Sequence, residues 1–306
     1  MDLSIVIVSW NCKTEVMECL GSLTQQAYPG ACEIIVVDNA SCDGTVETVR
    51  ARFPAVHVIQ TGANVGFARA ANRGLQAAQG TQLLFLNPDV VVPEGALETA
   101  VRELCRHPEA GILGVRLLND DGSPQPSCGA FLSLSALVRA NVQCVVGRPL
   151  EERESGGGRL WSGAVAEEVD WLMGAFLLCR RVVIAEVGGF DEDYFLYVED
   201  MDLCYRVRQR GYGIYYFPQV SILHHGNRSA RQKWGERREG EIVRAELTFV
   251  RKHKGWLASF LFRVLAGGLF LWKGIGYWFA ARNRGERQHQ ESRRYWHMVK
   301  VCLGCA

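Results

Sequence analysis

The sequence has no glycine after its first predicted strand. Leu3-Ser4-Ile5-Val6-Ile7-Val8 runs into Ser9-Trp10-Asn11-Cys12-Lys13. The glycine turn that brings a pyrophosphate onto a helix start is missing, which disfavours a dinucleotide-dependent oxidoreductase. A nucleotidyltransferase, the other metal-acid enzyme built on such a sheet, would carry a Gly- and Arg/Lys-rich loop at this point and is disfavoured too. Long apolar runs are also scarce. The stretch between Arg263 and Lys273 is too short to span a bilayer, and without bracketing transmembrane helices a processive polysaccharide synthase is disfavoured. Eleven cysteines are an odd number with no framework spacing, and Met1-Asp2 leads straight into a strand without a signal-peptide pattern. Free thiols in a reducing cytosol are therefore expected. Cys302-Leu303-Gly304-Cys305 has no second pair nearby, which argues against zinc. No internal repeat is visible, and a net charge of +1 points neither toward nor away from nucleic acid.

What is present is a regular alternation. The 306 residues, 48% of them apolar, suffice for a large core. Buried-type strands are expected at Leu3–Val8, Glu33–Val37, Val56–Ile59 and Gln82–Leu86. Between them helices are expected over about 14–26, from Asp43 as cap to Phe53, and over 68–79 with Gly80 as its end. Such alternation predicts βαβ units and a mainly parallel sheet flanked by helices. Pro93 opens a further helix over about 94–106, followed by a strand near Ile112–Val115. Residues 119–163 are rich in Gly, Ser and Pro, with 151–158 read as a mobile loop. Regular structure returns at Val169, with a helix over about 199–210 and a strand at Ser221–Leu223.

Charge is unevenly spread. From Arg228 to Lys300 there are 17 Lys/Arg against 6 Asp/Glu, and the rest of the chain carries 17 against 27. An acidic catalytic body, 1–229, is expected to precede a basic, aromatic helical extension, 230–306. In that extension a basic helix over 235–253 leads into a Trp-, Phe- and Leu-rich segment that fits an in-plane contact with anionic membrane, or packing on the catalytic domain.

Four clusters carry the chemistry. Asp38-Asn39 closes the second strand, where Asp38 can accept hydrogen bonds from a base or ribose, and Asp43 suits a helix cap. In Asn64-Val65-Gly66-Phe67, Gly66 permits close backbone approach and the helix start can face a phosphate, with Arg69 and Arg73 as candidate partners of a diphosphate. Asn87-Pro88-Asp89 delivers a carboxylate to the carboxyl edge of the sheet, where ligands bind and a divalent metal can be held. Glu199-Asp200-Met201-Asp202 opens a helix, where acids are favoured by the dipole and one of them serves as a cap.

These clusters, with Ser9-Trp10-Asn11, Met173-Gly174-Ala175-Phe176, Gly188-Gly189-Phe190-Asp191-Glu192 and His224-His225-Gly226-Asn227-Arg228-Ser229, fall in an order that resembles the family-2 inverting glycosyltransferases of the GT-A fold. The nearest resemblance is to rhamnosyltransferase-like members that build bacterial cell-surface polysaccharide. It covers about Leu3 to Ser229. It implies an α/β GT-A fold, a Rossmann-like mainly parallel sheet with a C-terminal helical extension. Asp38 and the Ser9-Trp10-Asn11 loop would hold the nucleotide, with Asn39, Asn64, Gly66, Arg69 and Asn87 on the same side. Asn87-Pro88-Asp89 stands at the family's D-x-D position with only the last acid kept. Asp89 and His224 would then bind Mg2+ or Mn2+, and His225 takes the next position. Asp200 would be the catalytic base with Glu199 beside it, and Gly174 would lie on the acceptor side. Trp171 and Phe176 would line that side or serve the core. The implied donor is a nucleotide-diphosphate sugar, first dTDP-rhamnose, and the acceptor a lipid-linked glycan. Nucleic acid is not an expected partner, and the expected place is the cytoplasmic, inner face of the membrane. The rival of another class, a non-catalytic nucleotide-sugar binding protein, would have no use for Asp200.

Overall fold

The computed structural model describes residues 1–26, 28–135, 137–138, 158–159, 165–226, 237–284 and 286–305. The expected loop at 151–158 and the end of the His224–Ser229 motif lie almost wholly outside them. Two compact units emerge: Met1–Phe131, Gly158–Phe195 and Glu199–Ser229 form one, and Leu132–Gly157, Leu196–Val198 and Ala230–Ala306 the other.

The first unit is built on one large sheet. β1 (Leu3–Ser9) is buried at every position, as a strand covered on both faces must be. It pairs in parallel with β2 (Cys32–Asp38) on one side and β4 (Gln82–Leu86) on the other, and β2 pairs in parallel with β3 (His57–Gln60). Helices α1 (Lys13–Thr24), α2 (Thr45–Arg52) and α3 (Phe67–Ala77) make the connections. Asp43 accepts from the amides of both Lys13 and Thr45, so one carboxylate serves the starts of α1 and α2. Gly80 does not end α3. The helix stops at Ala77 with Ala78 already extended, and a Cβ on Gly80 would lie 2.5 Å from the Ser4 nitrogen. Glycine is needed there for close approach to β1, whose buried Ser4 hydroxyl accepts from the Gly80 amide.

β5 (Val90–Val91), α4 (Ala96–Arg106) and β6 (Ala110–Leu118) follow, then the short strands β7 (Pro124–Gln125), β8 (Cys128–Gly129), β9 (Gly158–Arg159), β10 (Glu167–Glu168) and β11 (Trp171–Leu172). β12 (Phe176–Arg180) is wedged antiparallel between β4 and β6. After α5 (Arg181–Val187) and α6 (Glu199–Gln209), β13 (Gly213–His224) runs parallel to β6. The order is β10-β13-β6-β12-β4-β1-β2-β3, with β5 on β13 and β7 on β6. The carboxyl ends of β1, β2 and β4 thus share one edge, and Asp89 and His224 meet where β5 pairs with the end of β13.

The second unit is helical. α7 (Arg237–Arg284) contains Gly255 at φ 86°, ψ 174°, a conformation open to glycine alone, and the helix breaks there. Segments on both sides of the break pack on α8 (Glu286–Leu303). Glu239 pairs with Arg294, while beyond the break Arg263 donates to the Cys302 carbonyl and Ser292 to the Gly274 carbonyl. Ser259, Phe262, Ala266 and Leu269 form a buried stripe at helical spacing. On the remaining faces Trp256, Phe260, Val264, Trp272 and Phe279 are exposed. By length and composition, 238–279 is apolar enough to cross a membrane, with a window of mean hydropathy 1.5. Counting only the run between Arg263 and Lys273 understates it, because such a window tolerates those two cations.

Candidate active site

The edge of β1 and β2 forms the first wall. Ser9 and Asp38 are register partners. Asp38 is 1% exposed, and its carboxylate accepts from the Ser41 amide at 3.0 Å and the Ser9 hydroxyl at 3.4 Å. Asn11 and Ala40, the residues that leave these strands, adopt φ of 50° and 66°. Left-handed non-glycine residues are a stored cost that recurs at functional edges. Asn11 ties the two loops together: its amide donates to Ser41 Oγ, and its Oδ1 accepts from the Cys42 amide.

Three expected nucleotide contacts have other employment. The Asn39 Nδ2 donates to Asn64 Oδ1 and the Gly66 carbonyl, and its Oδ1 accepts from Val65 N. With these three bonds Asn39 shapes the 61–66 loop together with Asn64. At Gly66, φ is 87°, and a Cβ would stand 2.5 Å from the Phe195 carbonyl oxygen. That carbonyl also accepts from the Phe67 amide at 2.7 Å. The close approach is therefore made by Phe195 rather than a phosphate, and the first amide of α3 is taken. Arg73 donates to the Thr61 carbonyl. Arg69 stays solvent-facing, 3.7 Å from Glu192.

Asp89 and His224 are brought together. Asp89 Oδ1 lies 3.4 Å from His224 Nε2, both side chains nearly buried at 10% and 7% exposure. Burial alone would raise the Asp89 pKa, but hydrogen bonding and charge from His224 outweigh it and hold the carboxyl below its usual range. His225, the neighbouring candidate, is otherwise engaged: Nδ1 contacts Asp120 and Nε2 sits 3.3 Å from Glu18. Among the described residues no three His, Cys, Asp or Glu side chains converge as a complete metal cage. The Asp89–His224 pair supplies one carboxylate oxygen and one imidazole nitrogen, two donors that a divalent cation could take with substrate oxygens completing its shell.

The other acids stand at the start of α6, and their fates differ. Asp202 is fully buried and paired with Arg206 Nε at 2.6 Å and the Tyr194 hydroxyl at 3.2 Å, so it is structural. Asp200 accepts from the Gly174 amide at 2.8 Å and the Met201 amide at 2.7 Å. Burial raises its pKa against those two bonds. Glu199 is 8% exposed, and its Oε2 has no partner among the described residues. Burial, then the Asp200 charge, push it up to about 8. Tyr197 and Val198, immediately before, have φ of 70° and 66°, a rare state for a β-branched residue.

The sheet register links these acids to the metal-side loop. The Asn87 amide donates to the Ala175 carbonyl, and Gly174, which holds Asp200, is one residue away. Trp171 and Phe176, the alternative acceptor-side residues, belong to the core. They are 3% and 1% exposed, and the Trp171 indole donates to the Ala130 carbonyl. β12 lies in the middle of the sheet, so Phe176 has neighbours on every side. Gln125 was not legible as a functional residue. It lies in the two-residue, Pro-flanked strand β7, yet its amide touches both His224 Nδ1 and the His224 carbonyl.

A family model described as glycosyl transferase family 2 matches residues 4–127. N-acetylglucosaminyl-diphospho-decaprenol L-rhamnosyltransferase of Mycobacterium tuberculosis is 31% identical over 288 residues, 88% of this chain and 91% of that protein. Rhamnosyltransferase WbbL of Escherichia coli K12 is 30% identical over 152 residues, 48% of this chain and 54% of its own length. In fold, the chain matches the mannosyltransferase PcManGT of Pyrobaculum calidifontis, solved with GDP-Man and Mn2+, at a TM-score of 0.60 and 17% identity, covering 99% of this chain and 86% of that one. TarS of S. aureus (residues 1–349, with UDP-GlcNAc) matches at 0.56 and 15% identity, covering 99% and 92%. The sheet is that of the GT-A fold, and with a relative above 30% identity spanning almost the whole chain, the protein belongs to glycosyltransferase family 2.

Proposed function

We propose that this chain transfers a sugar, L-rhamnose from dTDP-rhamnose as the first choice, onto a hydroxyl of a lipid-linked glycan, inverting the anomeric centre. The rhamnosyltransferase names of its relatives support the sugar and, in the mycobacterial protein, an acceptor on a diphospho-decaprenol. The observation that carries the chemistry is the placement of Asp200. Its carboxylate is half-buried and oriented by two backbone amides, one of them from Gly174 beside the β4 edge.

In this reading Asp38 and Ser9 hold the nucleotide at the ends of β1 and β2, inside the loop shape set by Asn39, Asn64 and Gly66. Asp89 and His224 would hold Mg2+ or Mn2+, which supplies neutralising charge to the departing diphosphate. Asp200 takes the proton from the acceptor hydroxyl as the new C1–O bond forms. The C1–O bond to phosphate breaks, and its electron pair leaves with the nucleoside diphosphate. A positioned base contributes roughly 10²–10⁴-fold, and its burial, by raising basicity, suits it to that task. Burial and the neighbouring Asp200 charge raise the Glu199 pKa, which favours one negative charge shared by the two acids.

The exposed aromatic face of α7, with the basic surplus around it, supports contact with anionic membrane at the cytoplasmic face, where a lipid-linked acceptor would be met. Flotation with phosphatidylglycerol vesicles tests this, and recovery equal to that with neutral vesicles would count against it. For the chemistry, Asp200→Asn is expected to cut turnover by 10²–10⁴-fold while dTDP-rhamnose still raises the melting temperature. Unchanged turnover would favour the binding-protein alternative.

A further inference from the structure

Gln125 stands outside every motif of the sequence, yet it closes a directed chain of hydrogen bonds on the proposed metal site. The directions are forced from both ends. Asp121 is acceptor-only once ionised, and bonding from Ser123 lowers its pKa. The Ser123 hydroxyl must therefore donate to Asp121 Oδ1, at 2.6 Å, and accept from Asn119 Nδ2, at 2.8 Å. That fixes the Asn119 amide with Oδ1 toward Gln125, where it accepts from Nε2 at 2.7 Å. Independently, Gln125 Nε2 lies 2.6 Å from the His224 carbonyl oxygen, which can only accept. Both constraints put the Gln125 nitrogen on the same side. Its Oε1 must then be the atom 2.8 Å from His224 Nδ1. An amide oxygen has no proton to give, so the proton of a neutral His224 sits on Nδ1. Nε2 then carries a lone pair and points at the Asp89 carboxylate, 3.4 Å away.

With Nδ1 held by Gln125, Nε2 is the ring nitrogen left to face Asp89, either as an N–H that bonds the carboxylate or, unprotonated, with a cation shared between the two. We infer that Gln125 is a positioning residue that locks His224 in its Nδ1–H tautomer and so presents Nε2 to the cation shared with Asp89. This rests on the reading of Asp89 and His224 as metal ligands. Histidine ligands elsewhere hold their second ring nitrogen in this way, and loss of such a partner costs metal affinity. With only one aspartate kept from the acidic pair, a correctly aimed imidazole counts for more in this chain than in a site with two carboxylates.

Two measurements on the full chain decide it. The first uses histidine-selective 15N labelling without metal, at a pH where His224 is neutral, with the His224 signals identified by loss in His224→Gln. Multiple-bond 1H–15N spectra should show the Nδ1–H tautomer in the wild type and a mixed or reversed one in Gln125→Met. The Nε2–H tautomer in the wild type would overturn the inference whatever the variant does. The second is Mn2+ binding followed by electron paramagnetic resonance, with Mn2+ alone as probe. Gln125→Met should weaken binding about 10–100-fold with a melting temperature near that of the wild type. If the wild type binds Mn2+, Asp89→Asn loses it and Gln125→Met keeps full affinity, the inference falls and the metal reading stands. If the wild type binds no Mn2+, the metal reading falls, and with it the role of Gln125 in presenting Nε2. The spectra then still decide whether Gln125 sets the tautomer.

Discussion

Replacing Glu199 with glutamine separates its electrostatic cost from everything else at the start of α6. The wild-type carboxyl is buried, lacks a partner for Oε2 among the described residues and adjoins the Asp200 charge. Burial and that charge lift its pKa from 4.5 to about 8. A group that binds its proton more tightly when folded stabilises the fold fully below its unfolded value, and the contribution is lost as pH rises through the folded value. The window therefore runs from 4.5 to about 8. At about 1.36 kcal/mol per pH unit the whole window is worth roughly 5 kcal/mol. Asp200 titrates with Glu199 and its shift has the same sign, so roughly 2–5 kcal/mol belongs to Glu199 itself. Glutamine matches the neutral carboxyl in size and does not titrate. Urea unfolding of the full chain, followed by tryptophan fluorescence at intervals from about pH 5 to pH 9, should place the two proteins close together at the acid end. Glu199→Gln should lead by roughly 2–5 kcal/mol at the alkaline end. A difference that stays constant across the range would refute the assignment of a neutral, buried Glu199.

Two further substitutions probe the scaffold around the site. Gly66→Ala combines a φ of 87° with a Cβ 2.5 Å from the Phe195 carbonyl oxygen, so a loss of roughly 2–4 kcal/mol is expected. A melting temperature within a degree of wild type would show that the 61–66 loop is held otherwise. Gly174→Ala places a Cβ 3.3 Å from Asp200 Oδ2 and should shift that carboxylate by tenths of an ångström. The expected result is a fall in kcat of roughly tenfold or more with donor KM unchanged, and an unchanged kcat would remove Gly174 from the positioning of the base.

Strand-forming runs and the acids at their ends were decided by the sequence. Leu3–Ser9, Cys32–Asp38 and Gln82–Leu86 are apolar without alternation, which suits only strands covered on both faces, and a chain that alternates them with helices has little choice but a parallel sheet. Asp38 and Asp89 follow such runs directly, so their arrival at one edge was legible. The change from basic to aromatic composition near residue 255 was legible, but the break itself comes from the φ 86°, ψ 174° of Gly255. The pattern places the end of the helix over 68–79 at Gly80, but it stops at Ala77, and Gly80 instead serves contact with a strand 76 residues earlier in the chain.

Tertiary pairing decided the rest. Phe176 reads as an aromatic beside a loop glycine, and only the insertion of β12 between β4 and β6 makes it core. Asn39 reads as a polar group at a binding edge, and only the return of the 61–66 loop gives it its partners. Gln125 and His224 lie 99 residues apart. Nothing local could join them, because their hydrogen bond exists only after β13 has paired with β6 and carried His224 to the edge where β7 waits. Local periodicity fixes which segments become strands. Which side chains complete one another's hydrogen bonds depends on neighbours that the folded sheet alone supplies.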